Sequence, residues 1–374
     1  MELYDPTSPT FQDEIADIYR TMRDEHPVHR TDQGTYMLTR FDDVWDAVHD
    51  PVTFSSEGTI ESTYFPPNME YCDPPRHDVL RSVISRAFTP RAIAALEDDI
   101  RRVASELLDE AGPDFDAARE LALPLPSTVI ADLLGLPLER REQFFPRGVS
   151  FLDLDPAERM AFFQRATGLF AEIVEERRHE LGDDLISKLI AVEDEGQRLT
   201  QEDVLGFCVL LLIAGIDTTT DLIGNGIGLL GRHPDQRAEL VADPTLLRPT
   251  IEEMLRIESP VQSLPRRTTV DVTRHGVTIP ADSRVTLGWG AANLDEREFP
   301  DPDRFDIHRD VRRHLAFGHG VHFCLGAPLA RLEGRIAFEE LLARYPDFEL
   351  GDGCERHMAG VQRSWSHLPV RGEG

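Results

Sequence analysis

Lysine is nearly missing from this chain: Lys188 is the only one, so almost all of its positive charge is arginine. Positive charge is itself in short supply, with 39 basic against 68 acidic residues and a formal net charge of −29. A surface that negative repels phosphate backbones and anionic lipid, which argues against nucleic acid or a membrane surface as partner. Cysteine is scarce too. Cys72, Cys208, Cys324 and Cys354 are scattered without a CxxC pair, which excludes a disulfide framework or a zinc-finger spacing. The longest strongly apolar run, Val204–Ile216, is interrupted by Gly206 and falls short of the ~20 residues that a membrane span needs. The N-terminus, Met-Glu-Leu-Tyr-Asp-Pro, has neither the positive region nor the apolar core of a signal peptide. A soluble, cytoplasmic protein is expected.

What is present is an ordinary globular composition, 41% hydrophobic and 29% charged over 374 residues, which argues against a disordered or fibrous chain. No repeat, low-complexity tract or linker divides it, so a single domain over 1–374 is expected. Helical period appears first at Phe11–Glu25. Alternation over Val28–Thr39, broken by Asp32-Gln33-Gly34, predicts a β-hairpin, and Phe41–Val48 a short amphipathic helix. Residues 51–75, with Pro51, Gly58, Pro66, Pro67, Pro74 and Pro75, form a loop long enough to carry function. Helices are then expected at 76–87, 90–111, 118–135, 139–147, 156–180 and 200–231, stopped by prolines and glycines. Thr200 and Asp203 have capping-box spacing at the start of the longest. A helix near Thr245–Ile257 precedes short β-type runs at Thr268–Val272, Val277–Ile279 and Arg284–Leu287. A last helix follows Cys324 to about Tyr345, and the tail reads as irregular β. The fold class is mainly α with a small β portion.

Chemistry concentrates between His314 and Pro328. Gly318 and Gly320 allow a tight turn and a close approach to a flat ligand. Cys324 stands just before a helix whose first turn accommodates Pro328. The amides and dipole at a helix N-terminus favour a thiolate, which can serve as nucleophile, metal ligand or axial haem ligand. A lone cysteine is more often structural. Here it has company in Phe317-x-x-Gly320-x-x-x-Cys324-x-Gly326.

That pattern resembles the haem-binding signature of the haem-thiolate monooxygenases, the cytochrome P-450 family. The resemblance spans almost the whole chain, and it implies the family's fold, with haem b between the long central helix and the cysteine-loop helix. It makes Cys324 the axial ligand, whose thiolate pushes electron density to iron. A second block, Ala214-Gly215-Ile216-Asp217-Thr218, matches the family's central helix, where small residues leave a groove for dioxygen. By resemblance Thr218 holds a water at the iron and Asp217 delivers protons. Without it, threonines mid-helix would read as hydroxyls bonded back to preceding carbonyls. Glu253-Met-Leu-Arg256 lies between the two blocks, as in the family, and with Arg304 it is expected to form a scaffold behind the haem. His77 and Arg81, one helical turn apart, with Arg266 and His322, are the donors expected for the haem propionates. Arg267, beside Arg266, is the alternative for that position.

Substrate contacts carry no motif. The resemblance assigns them to Ile60, Tyr64 and Phe65 in the long loop, the helices around Phe144–Phe170, and Leu210, Ile213 and Ala214. Val261 and Leu264, with Val361 and Gln362 in the tail, complete the set. The set is mostly apolar, so the substrate is expected to be a hydrophobic small organic molecule, hydroxylated or epoxidised with two external electrons. A ferredoxin and its reductase would supply these, docking on Arg309, Arg312, Arg313, Arg331 and Arg335 around the cysteine loop. Alternatives are a peroxide-driven or nitric-oxide-reducing relative, disfavoured by the intact Asp217–Thr218 pair, and a haem-binding sensor or electron carrier.

Overall fold

The computed structural model describes residues 3–6, 8, 10–59, 68–86, 88–138, 140–141, 150–194, 199–357 and 361–372. Helix α1 spans Phe11–Glu25 and turns Phe11, Ile15, Tyr19 and Met22 inward, the spacing of one helical face. The hairpin forms from β1 (Val28–Arg30) and β2 (Tyr36–Leu38), and α2 follows at Phe41–His49. After β3 (Phe54–Ser55), helix α3 covers Arg76–Ser85. The helix expected over 90–111 is two: α4 (Pro90–Ala94), capped by Thr89, and α5 (Glu97–Ala111). Strand β4 is Asp114–Asp116. The stretch expected as helix from 118 opens as a wide turn, in which Leu123 N–H reaches back to the Ala118 carbonyl at 3.1 Å before α6 (Pro124–Leu133) begins. Pro124 and Pro126 have no N–H to continue a regular helix backwards.

Helices α7 (Pro156–His179) and α8 (Leu185–Asp194) lead to α9 (Gln201–Arg232), whose N-terminus carries the capping box of Thr200 and Asp203. The helix expected at 139–147 lies largely outside the described residues. Helix α9 is long and apolar enough to cross a membrane, yet most of its apolar window is enclosed by the helices around it. Helix α10 (Pro234–Ala242) and α11 (Leu247–Ile257) follow. Strands β5 (Leu264–Thr268), β6 (Val272–Arg274), β7 (Val277–Ile279) and β8 (Arg284–Leu287) lead to α12 (Trp289–Asn293). The first of these lies upstream of the run expected at Thr268–Val272, because the chain turns at Thr269–Asp271. Helix α13 is Ala327–Arg344, and β9 (Glu349–Leu350), β10 (Glu355–Arg356), β11 (Trp365–His367) and β12 (Pro369–Arg371) make the tail.

One sheet has the order β1-β2-β8-β5-β3, antiparallel except for the β2–β8 pair, in which Leu38 lies opposite Leu287. A second has the order β4-β12-β9, and two hairpins pair β6 with β7 and β10 with β11. The main core gathers around α9, with α5, α6 and α13 packed together beside it. A smaller cluster under the sheet holds Leu38, Phe41, Leu287 and Trp289. Between them lies the cavity described next.

Candidate active site

The cysteine loop enters the cavity from below. Cys324 N–H bonds the Phe317 carbonyl at 2.9 Å, and α13 starts three residues on. Burial pushes the Cys324 thiol up, and the Gly326 and Ala327 amides, then Arg81 and Arg331, pull it back. The helix N-terminus is thus present as expected, but in the chain alone desolvation outweighs it. Gly318 and Gly320 have φ of +62° and +68°. A side chain at Gly320 would put its Cβ 2.3 Å from the Val48 carbonyl, and one at Gly318 would meet the Trp289 ring at 3.2 Å. The two glycines seat the loop against α2 and α12. Phe317 lines the cavity, with the Arg331 guanidinium 4.5 Å over its ring.

The roof is one face of α9. Leu210, Ala214, Gly215, Thr218 and Thr219 line the cavity. Ala214 is exposed to it, although α9 is otherwise mostly buried. Thr218 Oγ1 donates to the Ala214 carbonyl at 2.7 Å, so the back-bonded geometry and the cavity-facing position coexist. Asp217 turns to the other side. It is 4% exposed, does not line the cavity, and accepts a bond from Ser150 Oγ at 3.3 Å.

Four cationic or imidazole groups form one wall. His77 and Arg81 come from the same face of α3, Arg266 from β5 and His322 from the loop. His77 Nδ1 contacts Asp78 at 3.0 Å while its Nε2 is buried without a partner, and the His322 ring lies 4.4 Å away. Burial, with Arg266, His77 and Arg81 nearby, pulls His322 down to about 3, so it brings an N–H rather than a charge. Arg266 is 6% exposed, whereas Arg267 is exposed and bonded to Asp282 at 2.9 Å, which settles which arginine faces inward. Among the described residues no carboxylate hydrogen-bonds Arg81 or Arg266. An unpartnered imidazole nitrogen and two such guanidiniums demand an anionic ligand. A planar dianionic group whose central metal takes a thiolate fits this donor set.

Behind the loop, Glu253 and Arg256 are fully buried and bidentate, at 2.7 and 2.8 Å. Arg256 also holds the Asn293 carbonyl at 2.9 Å, and Asn293 Oδ1 accepts Leu315 N–H at 2.7 Å, so the pair reaches the cysteine loop through one residue. The third member is not Arg304, whose side chain is 70% exposed and, among the described residues, pairs with Asp306 alone, 3.9 Å away. It is Arg309, whose Nε donates to Glu253 Oε1 at 3.0 Å. The loop after α12 carries Arg304 outward and brings Arg309 back under α11. Sequence spacing also passed over Glu252, held by Arg331 at 2.6 and 2.8 Å and by His314 at 3.0 Å.

Of the expected substrate contacts, Leu210, Val261 and Leu264 line the cavity. Ile213 packs into the main core, and Phe170 is fully buried there. Val361, 55% exposed, and Gln362, bridged to Val261 through the backbone, stand outside the wall. Ile60, Tyr64, Phe65 and Phe144 lie outside the described residues. Met69, Phe88, Phe207 and Trp289 line the cavity without having been anticipated, as does Glu333. Glu333 is 1% exposed, neither oxygen has a partner, and burial pushes its carboxyl up to about 8. The arginines expected to dock a partner are already paired: Arg313 with Glu298, Arg331 with Glu252, Arg335 with Glu97 and Glu339, and Arg309 inside. Arg312, 85% exposed beside Asp310, is the most open of the five.

A half-buried cysteine below, a small-residue helix face above and an anion-binding edge define a haem-thiolate site. The comparisons carry this further. The cytochrome P450 family model matches residues 142–353. The chain is 41% identical to the vitamin D(3) 25-hydroxylase of Pseudonocardia autotrophica, covering 99% of this chain and 96% of that one. It is 42% identical to the erythromycin C-12 hydroxylase of Saccharopolyspora erythraea, covering 97% and 96%. A solved cytochrome P450 from Chondromyces apiculatus superimposes with a TM-score of 0.91 at 42% identity, covering 98% and 97%. The chain belongs to the cytochrome P450 family. It is a monooxygenase whose cofactor is haem b.

Proposed function

We propose that the substrate is a hydrophobic small molecule held between the Leu210–Thr218 face of α9 and the Val261–Leu264 segment, and that it is hydroxylated or epoxidised there. One observation carries this reading: Cys324 and Thr218 face the same cavity, and most of the remaining wall is apolar. Bound haem supplies the iron at which dioxygen is activated by two external electrons. Cys324 would hold it from below, while His77, Arg81, Arg266 and His322 take its carboxylates. Thr218 Oγ1, fixed by its bond to the Ala214 carbonyl, leaves its lone pairs toward the cavity to orient a water. Asp217, one residue back, is the acid that returns a proton to that water. Two relatives of nearly equal identity are named for vitamin D(3) and for erythromycin. Overall identity therefore does not choose the substrate, and the side chains above the iron do. Electrons come from a ferredoxin and its reductase in the cytoplasm, with the first contact at Arg312.

The test is the spectrum of the reduced protein under carbon monoxide. A red-shifted Soret band that disappears in Cys324→Ala is the expected result. A band at the position of histidine-ligated haem, or one retained in the variant, overturns the assignment.

A further inference from the structure

Helix α9 buries two carboxyls one turn apart. Asp217 and Asp221 share a face, at 4% and 1% exposure. Asp217 has the Ser150 hydroxyl. Among the described residues the Ser364 side chain is the hydrogen-bonding neighbour of Asp221, neither Asp221 oxygen makes a bond of normal geometry, and the Thr220 hydroxyl and the Trp365 indole N–H are buried and unpartnered. The charged groups facing Asp221 are Asp217 on its own helix and Arg356 on β10, with Ser364 beside it; burial and Asp217 together hold its carboxyl well above the usual range. The like charge of Asp217 one turn away adds to burial in disfavouring ionisation of Asp221. One turn further, Asn225 accepts from Arg356 at 3.1 Å, and Arg356 bonds Glu258 at 2.9 Å. Arg232, 41% exposed, joins that layer to solvent. A column of polar groups thus runs along α9 on the side away from the cavity.

A buried acid with only a hydroxyl beside it is costly, and an amide or an aliphatic residue would fill the same space more cheaply. We propose that Asp221 is a positioning residue acting through Asp217, the proton store of the relay. When Asp217 has given its proton toward the water at Thr218, the Asp221 O–H bond breaks and its proton passes to the Asp217 carboxylate. The negative charge moves to Asp221, beside Arg356, and Asp221 regains a proton from bulk water between turnovers. No electrons move in this step. The inference rests on the functional reading above, since it needs Asp217 to be the acid.

The test uses the haem-loaded protein and Asp221→Asn, Asp217→Asn and the double variant. With carboxyl-labelled aspartate, the infrared band of a protonated carboxylic acid is expected in the resting protein at neutral pH, and its loss in Asp221→Asn assigns it. The reduced holoprotein is then mixed with dioxygen, with no organic molecule added, in H2O and in D2O. Asp221→Asn should slow dioxygen consumption by about tenfold and enlarge its solvent isotope effect, while the double variant is no slower than Asp217→Asn. No labelled acid band, an unchanged isotope effect, or additive losses in the double variant overturns the proposal. If Asp221→Asn does not load haem, the band in the labelled wild type decides alone. The carbon monoxide spectrum of the wild type separates the two failures: a thiolate band with an unmoved isotope effect sinks only the proton store.

Discussion

Arg309 and Arg304 offer a sharp comparison, because sequence spacing and structure choose differently between them. Arg309→Met removes a charged bond to the fully buried Glu253 and three bonds to the carbonyls of Pro300, Asp301 and Arg304. The bond to the buried carboxylate is worth ~1.5–3 kcal/mol, and its loss leaves part of a desolvated charge unmatched. The three carbonyls lie near the surface, where water replaces most of the loss. The sum is about 3 kcal/mol. Arg304→Met removes one exposed contact at 3.9 Å, worth less than ~0.5 kcal/mol. Urea unfolding of both holoproteins, followed by circular dichroism and by the Soret band, reads the difference as a shift in midpoint at a common slope. Arg309→Met should also load less haem, because Glu253 and Arg256 hold Asn293 and through it the backbone before Phe317. Equal midpoints, or a larger loss in Arg304→Met, would refute the assignment of Arg309 to the scaffold.

Glu333 gives the protein a pH dependence. Its pKa is about 8 in the fold against an ordinary 4.5, so the native state binds the extra proton. The associated stability is complete below pH ~4.5 and is lost as pH rises through 8, by up to ~5 kcal/mol at 1.36 kcal/mol per pH unit. Glu333→Gln should flatten that fall in a series of urea midpoints between pH 5 and about 9; parallel curves would show that Glu333 does not titrate there. Arg312→Glu should slow reduction by ferredoxin, most at low ionic strength, with haem content intact. An unchanged rate would place the docking site elsewhere.

Much of this was legible in the residues, for reasons that can be named. The α1 limits follow from a clean apolar period, and the α9 start from the reciprocal bonds of Thr200 and Asp203. That Cys324, Thr218, His77, Arg81 and Arg266 face one cavity was readable because each sits in a spacing that one local element fixes: a loop before a helix, a helical turn, a strand. Legibility stopped where the answer depended on the path of an irregular chain. Arg304 and Arg309 are five residues apart in the same Pro- and Asp-rich passage, and only its fold decides which turns inward. The tail turn failed in the same way: Val361 and Gln362 come close in sequence to a cavity that they do not line. Short helices such as α8 and α10 gave too little period to be seen. Gly318 and Gly320 were recognisable as tight-turn positions, but their close fit against the Val48 carbonyl and the Trp289 ring was not, because those neighbours come from other parts of the chain.

The buried polar atoms left without partners make the strongest link between fold and chemistry. Several belong to guanidiniums anchored through another nitrogen, as in Arg23, Arg140 and Arg237, where one unbonded N–H is a minor cost. His77, Trp289 and Glu333 differ. All three line this cavity, and Asp221 and Thr220 sit on the far side of the helix that roofs it. A chain selected for stability alone would have filled such positions with groups that close their own hydrogen bonds. Among the described residues His77 Nε2 and the Glu333 carboxyl are left unsatisfied at this cavity, and on the proposed reading the cofactor's carboxylates would face His77. Local rules of burial give way where the chemistry needs unspent donors and protons.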